Sequence, residues 1–166
     1  MKQRILAVFF ITIVLLNFGI DRITKYAAEE HLQGEGRIQV VGDIAVLVYA
    51  ENQGAFLGMG SDLPQPYRLL LLTILPTVFI FGFLIYILVK EKLNVLQYCA
   101  LATVMGGGLG NLWDRIFRNG LVVDFMNFGI ANLRTGILNV ADLSLTFGAV
   151  VLLVSMYFSK KQEPDN

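Results

Sequence analysis

The chain has 166 residues, 55% hydrophobic and only 16% charged, with 13 basic side chains balanced by 13 acidic ones. That charge content lies well under the ~25% usual for soluble domains, and a net charge of zero gives no electrostatic reason to bind nucleic acid. The length suits one domain, 1–166, and the apolar runs are too continuous for a soluble helical bundle.

Four apolar stretches are predicted to span a bilayer. The first covers 5–20, with a polar helical tail to Ala28. Lys2 and Arg4 resemble the basic start of a secretory leader. No A-x-A cleavage site closes the run, however, and DRITKYAAEE continues it at helical spacing, so it is read as a retained span. Asp21 and Lys25 in that tail are four apart, in the acid-to-base order that favours a helical pair. They read as a structural brace, or as a holder for the loop carrying Asn52. His31 has no cysteine or second histidine nearby to share a metal.

Residues 38–50, IQVVGDIAVLVYA, read as two short strands around a Gly42-Asp43 turn. Two strands alone are marginal in water, so they are expected to lean on the helices or the membrane surface. The glycines of ENQGAFLGMG, 51–60, imply turns or close backbone approach, and Pro64 and Pro66 suit a connection or a first helical turn. The second span is 69–89, and Pro76 within it predicts a bend because it removes one backbone hydrogen bond. The third span, 95–113, holds the only cysteine, Cys99, read as packing. It ends in MGGGLGNLWDRI, where glycines 106–108 and Gly110 predict close helix packing. Asn111 shares a helical face with Arg115 and nearly with Asp114. Asp114 and Arg115 are expected to pair with other buried groups rather than with each other.

Residues 116–135 read as an amphipathic interfacial loop or helix gating access to Asp124. The fourth span, 137–158, carries Asn139 and Asp142 three apart on one face, with Asp142 about two turns into the helix. The fold class is thus an all-α integral membrane protein: four transmembrane helices, a small extracytoplasmic β segment and an interfacial loop or helix. Lys2 and Arg4, Lys90 and Lys92, and Lys160 and Lys161 would all fall on one side, which the positive-inside rule makes cytoplasmic. Arg37, Arg68, Arg118 and Arg134 lie on or near the other side, so the bias is imperfect.

Asp124, in GLVVDFMNF, and Asp142, in GILNVADLSL, both sit in apolar company. A carboxylate at mid-membrane costs a disputed ~3 kcal/mol or more. Two carboxylates at short range cannot both ionise cheaply, so one holds a proton while the other does not. Such a pair hydrolyses a peptide without metal or covalent intermediate. The ionised member takes a proton from water, and the protonated member donates to the scissile carbonyl. Asn and Arg donors nearby would orient the backbone and stabilise developing charge. Ion-coupled transport along a polar helix face and a purely structural membrane role are the alternatives. An HExxH zinc site and a GxSxG elbow are absent, and Ser144 has no plausible base.

Five ordered blocks give the chain a resemblance to the lipoprotein signal peptidase (signal peptidase II) family. DRITK at 21–25 resembles D-x-x-S/T-K, ENQGAFLG at 51–58 resembles N-x-G-A-A-F, and GNLWDR at 110–115 resembles G-N-x-x-D-R. GLVVDF at 120–125 resembles G-x-V-x-D-F, and LNVADLS at 138–144 resembles F-N-x-A-D. The resemblance implies that Asp124 and Asp142 are a catalytic dyad. Asn52, Asn111, Arg115 and Asn139 would form a substrate-positioning or supporting shell, and Asp21, Lys25 and Asp114 would be structural. It implies cleavage of prolipoproteins on the amino side of a diacylglyceryl-modified cysteine, in the bacterial cytoplasmic membrane. Both termini would be inside and the dyad near the outer face. Membrane lipids and globomycin-type inhibitors are the other expected partners; no cofactor and no obligatory protein subunit are expected. Three departures bear on loop shape and inhibitor fit: one alanine where many members have two after Gly54, Leu138 in place of phenylalanine, and the large ring of Trp113 beside Asp114.

Overall fold

The computed structural model describes residues 2–55, 58–89 and 93–161. Phe56 and Leu57 of the 51–60 segment, and the Lys90 and Lys92 used for orientation, lie outside the described residues. So do the side chains of Lys2, Arg4, Lys160 and Lys161.

The chain is mostly helical around a four-stranded antiparallel sheet. Helix α1 (Lys2–Leu32) is one unbroken helix of 31 residues. At ~1.5 Å per residue it is longer than a ~30 Å hydrocarbon layer requires. Its last turns bury Ala28 and Leu32 against Phe125 of the sheet. Strands β1 (Ile38–Val41) and β2 (Ala45–Asn52) form the expected hairpin, with Gly42 at φ +49° in the turn.

The sheet continues where the sequence predicts an amphipathic interfacial segment. Residues 122–130 are strand β3 (Val122–Ile130), paired antiparallel to β2, followed by β4 (Leu133–Arg134) in the order β1-β2-β3-β4. VVDFMNFGI is rich in β-branched and aromatic residues, which suit a half-buried pleated surface. With β2 as partner it can satisfy its backbone groups, which a surface loop would leave to solvent. A register shift between Leu47 and Ala50 puts Ala50 opposite Asp124, an irregularity of the kind that re-aims a strand side chain.

Pro64 caps α2 (Gln65–Leu69), and Pro66 lies in its first turn. A π-helical segment, Leu70–Ile74, then leads into α3 (Leu75–Val89). Pro76 explains the change of winding. It has no N–H for the carbonyl four residues earlier, and its ring crowds that carbonyl. The Leu75 N–H bonds instead to the Leu70 carbonyl, five residues back.

Helix α4 (Val95–Phe117) begins with a reciprocal capping box between Asn94 and Gln97. It is long enough to cross a membrane. Among the described residues, three stretches are both long and apolar enough by composition: Ile5–Leu32, Gln65–Ile85 and Val140–Ser159. The expected third span, 95–113, is not among them. Its polar residues, including Gln97, Asn111 and Asp114, are buried, so protein rather than lipid surrounds much of it. Glycines make this possible. A Cβ on Gly106 would lie 2.6 Å from Asn17 Cβ of α1, and one on Gly107 would lie 2.6 Å from the Ala141 carbonyl of α5 (Val140–Lys161). Phe10 and Val14 of α1 pack with Leu101, Ala102 and Met105 of α4. Phe79, Phe81, Ile85, Phe147 and Leu153 remain exposed on the outside, an apolar belt suited to acyl chains.

Candidate active site

Asp124 and Asp142 are 2% and 8% exposed, and both are tied to Asn139. That residue caps α5. Its Oδ1 accepts the Asp142 N–H at 2.9 Å, and Asp142 Oδ2 accepts the Asn139 N–H at 3.3 Å. This is a capping box with an aspartate in its third position. Asp142 therefore lies in the first turn of α5, not two turns in as the apolar run suggests. The helix starts at Val140, after its cap. The side-chain amide of Asn139 donates to Asp124 Oδ1 at 2.6 Å. One residue thus anchors a strand carboxylate through its side chain and a helix carboxylate through its backbone.

The remaining oxygens are held from other elements. Asn52, the last residue of β2, donates to Asp124 Oδ2 at 3.0 Å. Its Oδ1 accepts the Gly54 N–H at 2.8 Å, closing a local turn of the kind asparagine favours. Asn111 of α4 donates to Asp142 Oδ1 at 2.9 Å. Burial raises the Asp124 carboxyl to about 6, the neighbouring Asp142 adds to the rise, and the Asn52 and Asn139 donors oppose it.

Behind the pair lies a buried ionic cluster. Lys25 reaches Asp21 at 3.0 Å and Asp114 at 2.9 Å, and donates to Asn111 Oδ1 at 2.8 Å. Asp114 also pairs with Arg22 and, at 3.3 Å, with Arg118. Asp21 Oδ1 accepts the Ala141 N–H at 2.9 Å. The Asp21–Lys25 brace therefore joins α1 to α4 and to the start of α5. Its polar contacts are with those elements and not with the Asn52 loop. Arg115 turns the other way and donates to the Gly54 carbonyl at 2.9 Å, while its Nε is buried without a partner.

Arg115 borders a cavity of about 420 Å³ between α2 and the C-terminal end of α4. Gln53, Gln65, Arg68, Thr73 and Asn119 give it polar walls, and Leu69, Leu72 and Ile116 an apolar side. Neither aspartate is among its lining residues. Sequence reading missed Gln53 and Arg68, which bond to each other. Gln53 sits beside Asn52 in the recognised block, and that adjacency was the available signal. Ser144 donates to Asn17 at 3.0 Å. The Trp113 ring lies against Phe18 and Phe117. Leu138 takes part through its backbone, exchanging hydrogen bonds with Met126 at 2.7 and 2.8 Å.

Residues 13–158 match the family model described as Signal peptidase (SPase) II. A lipoprotein signal peptidase of Caldanaerobacter subterraneus is 36% identical over 148 residues, covering 89% of this chain and 95% of that one. One of Sulfurihydrogenibium is 32% identical over the full length of both. Among solved structures, a bacterial membrane enzyme determined at 2.3 Å superposes with a TM-score of 0.80 at 22% identity, over 95% of this chain and 93% of that one.

Proposed function

The chain belongs to the signal peptidase II family of aspartic endopeptidases, multi-pass bacterial membrane enzymes, and from that premise we propose that Asp124 and Asp142 are its catalytic pair. The single observation that carries the assignment is the convergence of both buried carboxylates on Asn139. The substrate is a prolipoprotein. Cleavage falls on the amino side of its diacylglyceryl-modified cysteine.

In the resting pair one carboxyl keeps its proton, because two adjacent buried charges are costly. A water between the oxygens loses a proton to the ionised member as its oxygen adds to the scissile carbonyl. The protonated member donates to the carbonyl oxygen, giving a neutral gem-diol. Collapse of the gem-diol breaks the C–N bond as the amide nitrogen takes up a proton. The products are a carboxylic acid on the signal peptide and an amine on the modified cysteine. Asn52, Asn111 and Asn139 keep the carboxylates aimed, and Arg115 offers donors to the substrate backbone. No cofactor enters this sequence.

The whole chain acts as one peptidase domain. The α4 helix is the third of four crossings, both termini are cytoplasmic, and the pair lies near the extracytoplasmic face. There the acyl tails of the substrate stay in the bilayer and anchor it, at ~0.8 kcal/mol for each buried CH₂. Globomycin-type peptides would compete for the same place.

Purified wild type in detergent is expected to cleave a diacylglyceryl-modified precursor. Asp124→Asn and Asp142→Asn should fold and lose ~10²–10⁴-fold or more in kcat. Near-full activity in either variant removes that residue from the pair. Equal cleavage of unlipidated precursor removes the lipid requirement.

A further inference from the structure

The buried lysine of α1 is not used by the mechanism above, yet its geometry reaches the reacting groups. We infer that Lys25 is a positioning residue for the reaction: it orients the Asn111 amide so that its N–H, and not its carbonyl, faces Asp142. This rests on the assignment of Asp142 to the catalytic pair.

An ammonium group has three N–H donors and accepts nothing. Lys25 is fully buried; it donates to Asn111 Oδ1 at 2.8 Å and lies within ion-pair distance of Asp21 and Asp114. Whatever faces the ammonium must be an acceptor. That requirement decides which end of the Asn111 amide points where. A reversed amide would set its NH₂ against an ammonium and its carbonyl against a carboxylate, two repulsive contacts in a low-dielectric site.

The oxygen is also filled from its other side, since the Asn139 amide donates to Asn111 Oδ1 at 3.0 Å. Asn139 in turn donates to Asp124. A chain of hydrogen bonds therefore runs from Lys25 through Asn111 to Asp142, with a branch through Asn139 to Asp124. The cation at its head polarises the amides that follow. Truncating Lys25 frees Asn111 to rotate and lets Asp142 Oδ1 turn away from the water.

A lysine that merely braces the fold predicts a different outcome. Lys25→Met combined with Asp21→Asn removes one positive and one negative charge together. Asp114 keeps Arg22 and Arg118, and the new asparagine retains an oxygen for the Ala141 N–H. Replacing a balanced buried pair is often neutral for stability, so this variant isolates function from folding. Its thermal midpoint in detergent should stay near wild type. Its kcat on lipid-modified precursor should fall at least ~10-fold with KM within ~2-fold, the pattern of an interaction needed only in the transition state. Lys25→Gln, which keeps a neutral N–H for Asn111, should recover part of the lost kcat relative to Lys25→Met. A folded charge-neutral variant with wild-type kcat overturns the inference if Asp142→Asn is inactive in the same assay. An active Asp142→Asn would instead bring down the catalytic pair itself.

Discussion

Asp124 is squeezed by burial on one side and by the charge of Asp142 on the other, and its carboxyl rises from the usual 3.8 to about 6. The folded state therefore holds that proton more tightly than the unfolded chain. Between pH ~4 and ~6 the native state binds more protons, so stability falls as pH rises across that window. Below ~4 the penalty is absent, and above ~6 it is complete, on the order of 3 kcal/mol. Asp124→Asn cannot ionise and should lose this component. Thermal midpoints measured from pH 4 to 7.5 should fall less steeply for the variant than for wild type. Parallel curves would show that Asp124 does not titrate in that range. The residue best suited to the chemistry thus opposes stability at neutral pH, a common trade at active sites.

Helix α4 is the element on which the site is assembled, and its glycines set how close the neighbours come. Gly110 faces Asp21, and an added Cβ there would run into that carboxylate. Gly110→Ala should therefore push α1 away from α4, strain the Lys25 cluster and cost ~1–3 kcal/mol. Gly82 of α3 has open space where its Cβ would stand. Gly82→Ala should be neutral or stabilising, by up to ~1 kcal/mol, from helix propensity alone. Detergent melting curves of the two variants read the difference directly. Equal effects would mean that the α1–α4 approach is not close. The same spacing explains why α4 tolerates Asn111, Asp114 and Arg115: α1, α5 and the Gly54 turn supply hydrogen-bonding partners that lipid does not.

At the scale of the molecule, an apolar belt surrounds the helices while the sheet and the C-terminal end of α1 stand together at one end. The proposed orientation puts that end outside the cell. In a Cys99→Ala background, a cysteine at exposed Gln39 in β1 should react with a membrane-impermeant maleimide on intact spheroplasts. One at Lys161, the last residue of α5, should react only after lysis. The reverse pattern would invert the topology and put the carboxylate pair on the cytoplasmic side.

Much of this protein is legible in its sequence. The helices follow from continuous apolar runs, the first hairpin from Val and Ile runs around Gly42, and the polar residues from their cost in apolar company. Local order in the chain carries each of these signals. The identity of 122–130 as a strand was not legible, because it depends on pairing with β2, more than 70 residues earlier, and Asp124 and Asn127 disguise its apolar character. The partners of Asp21 and Arg115 were equally hidden. One caps a helix 120 residues away, and the other holds the carbonyl of a turn in the 51–60 segment. Composition and spacing by themselves determined a membrane-embedded chain with two costly carboxylates and the donors to support them. Only the tertiary structure decided that those carboxylates share Asn139 and that a buried ammonium aims one of their partners. Hydrogen bonds depend on distance and direction, and residues far apart in sequence acquire both only when the helices and sheet close together.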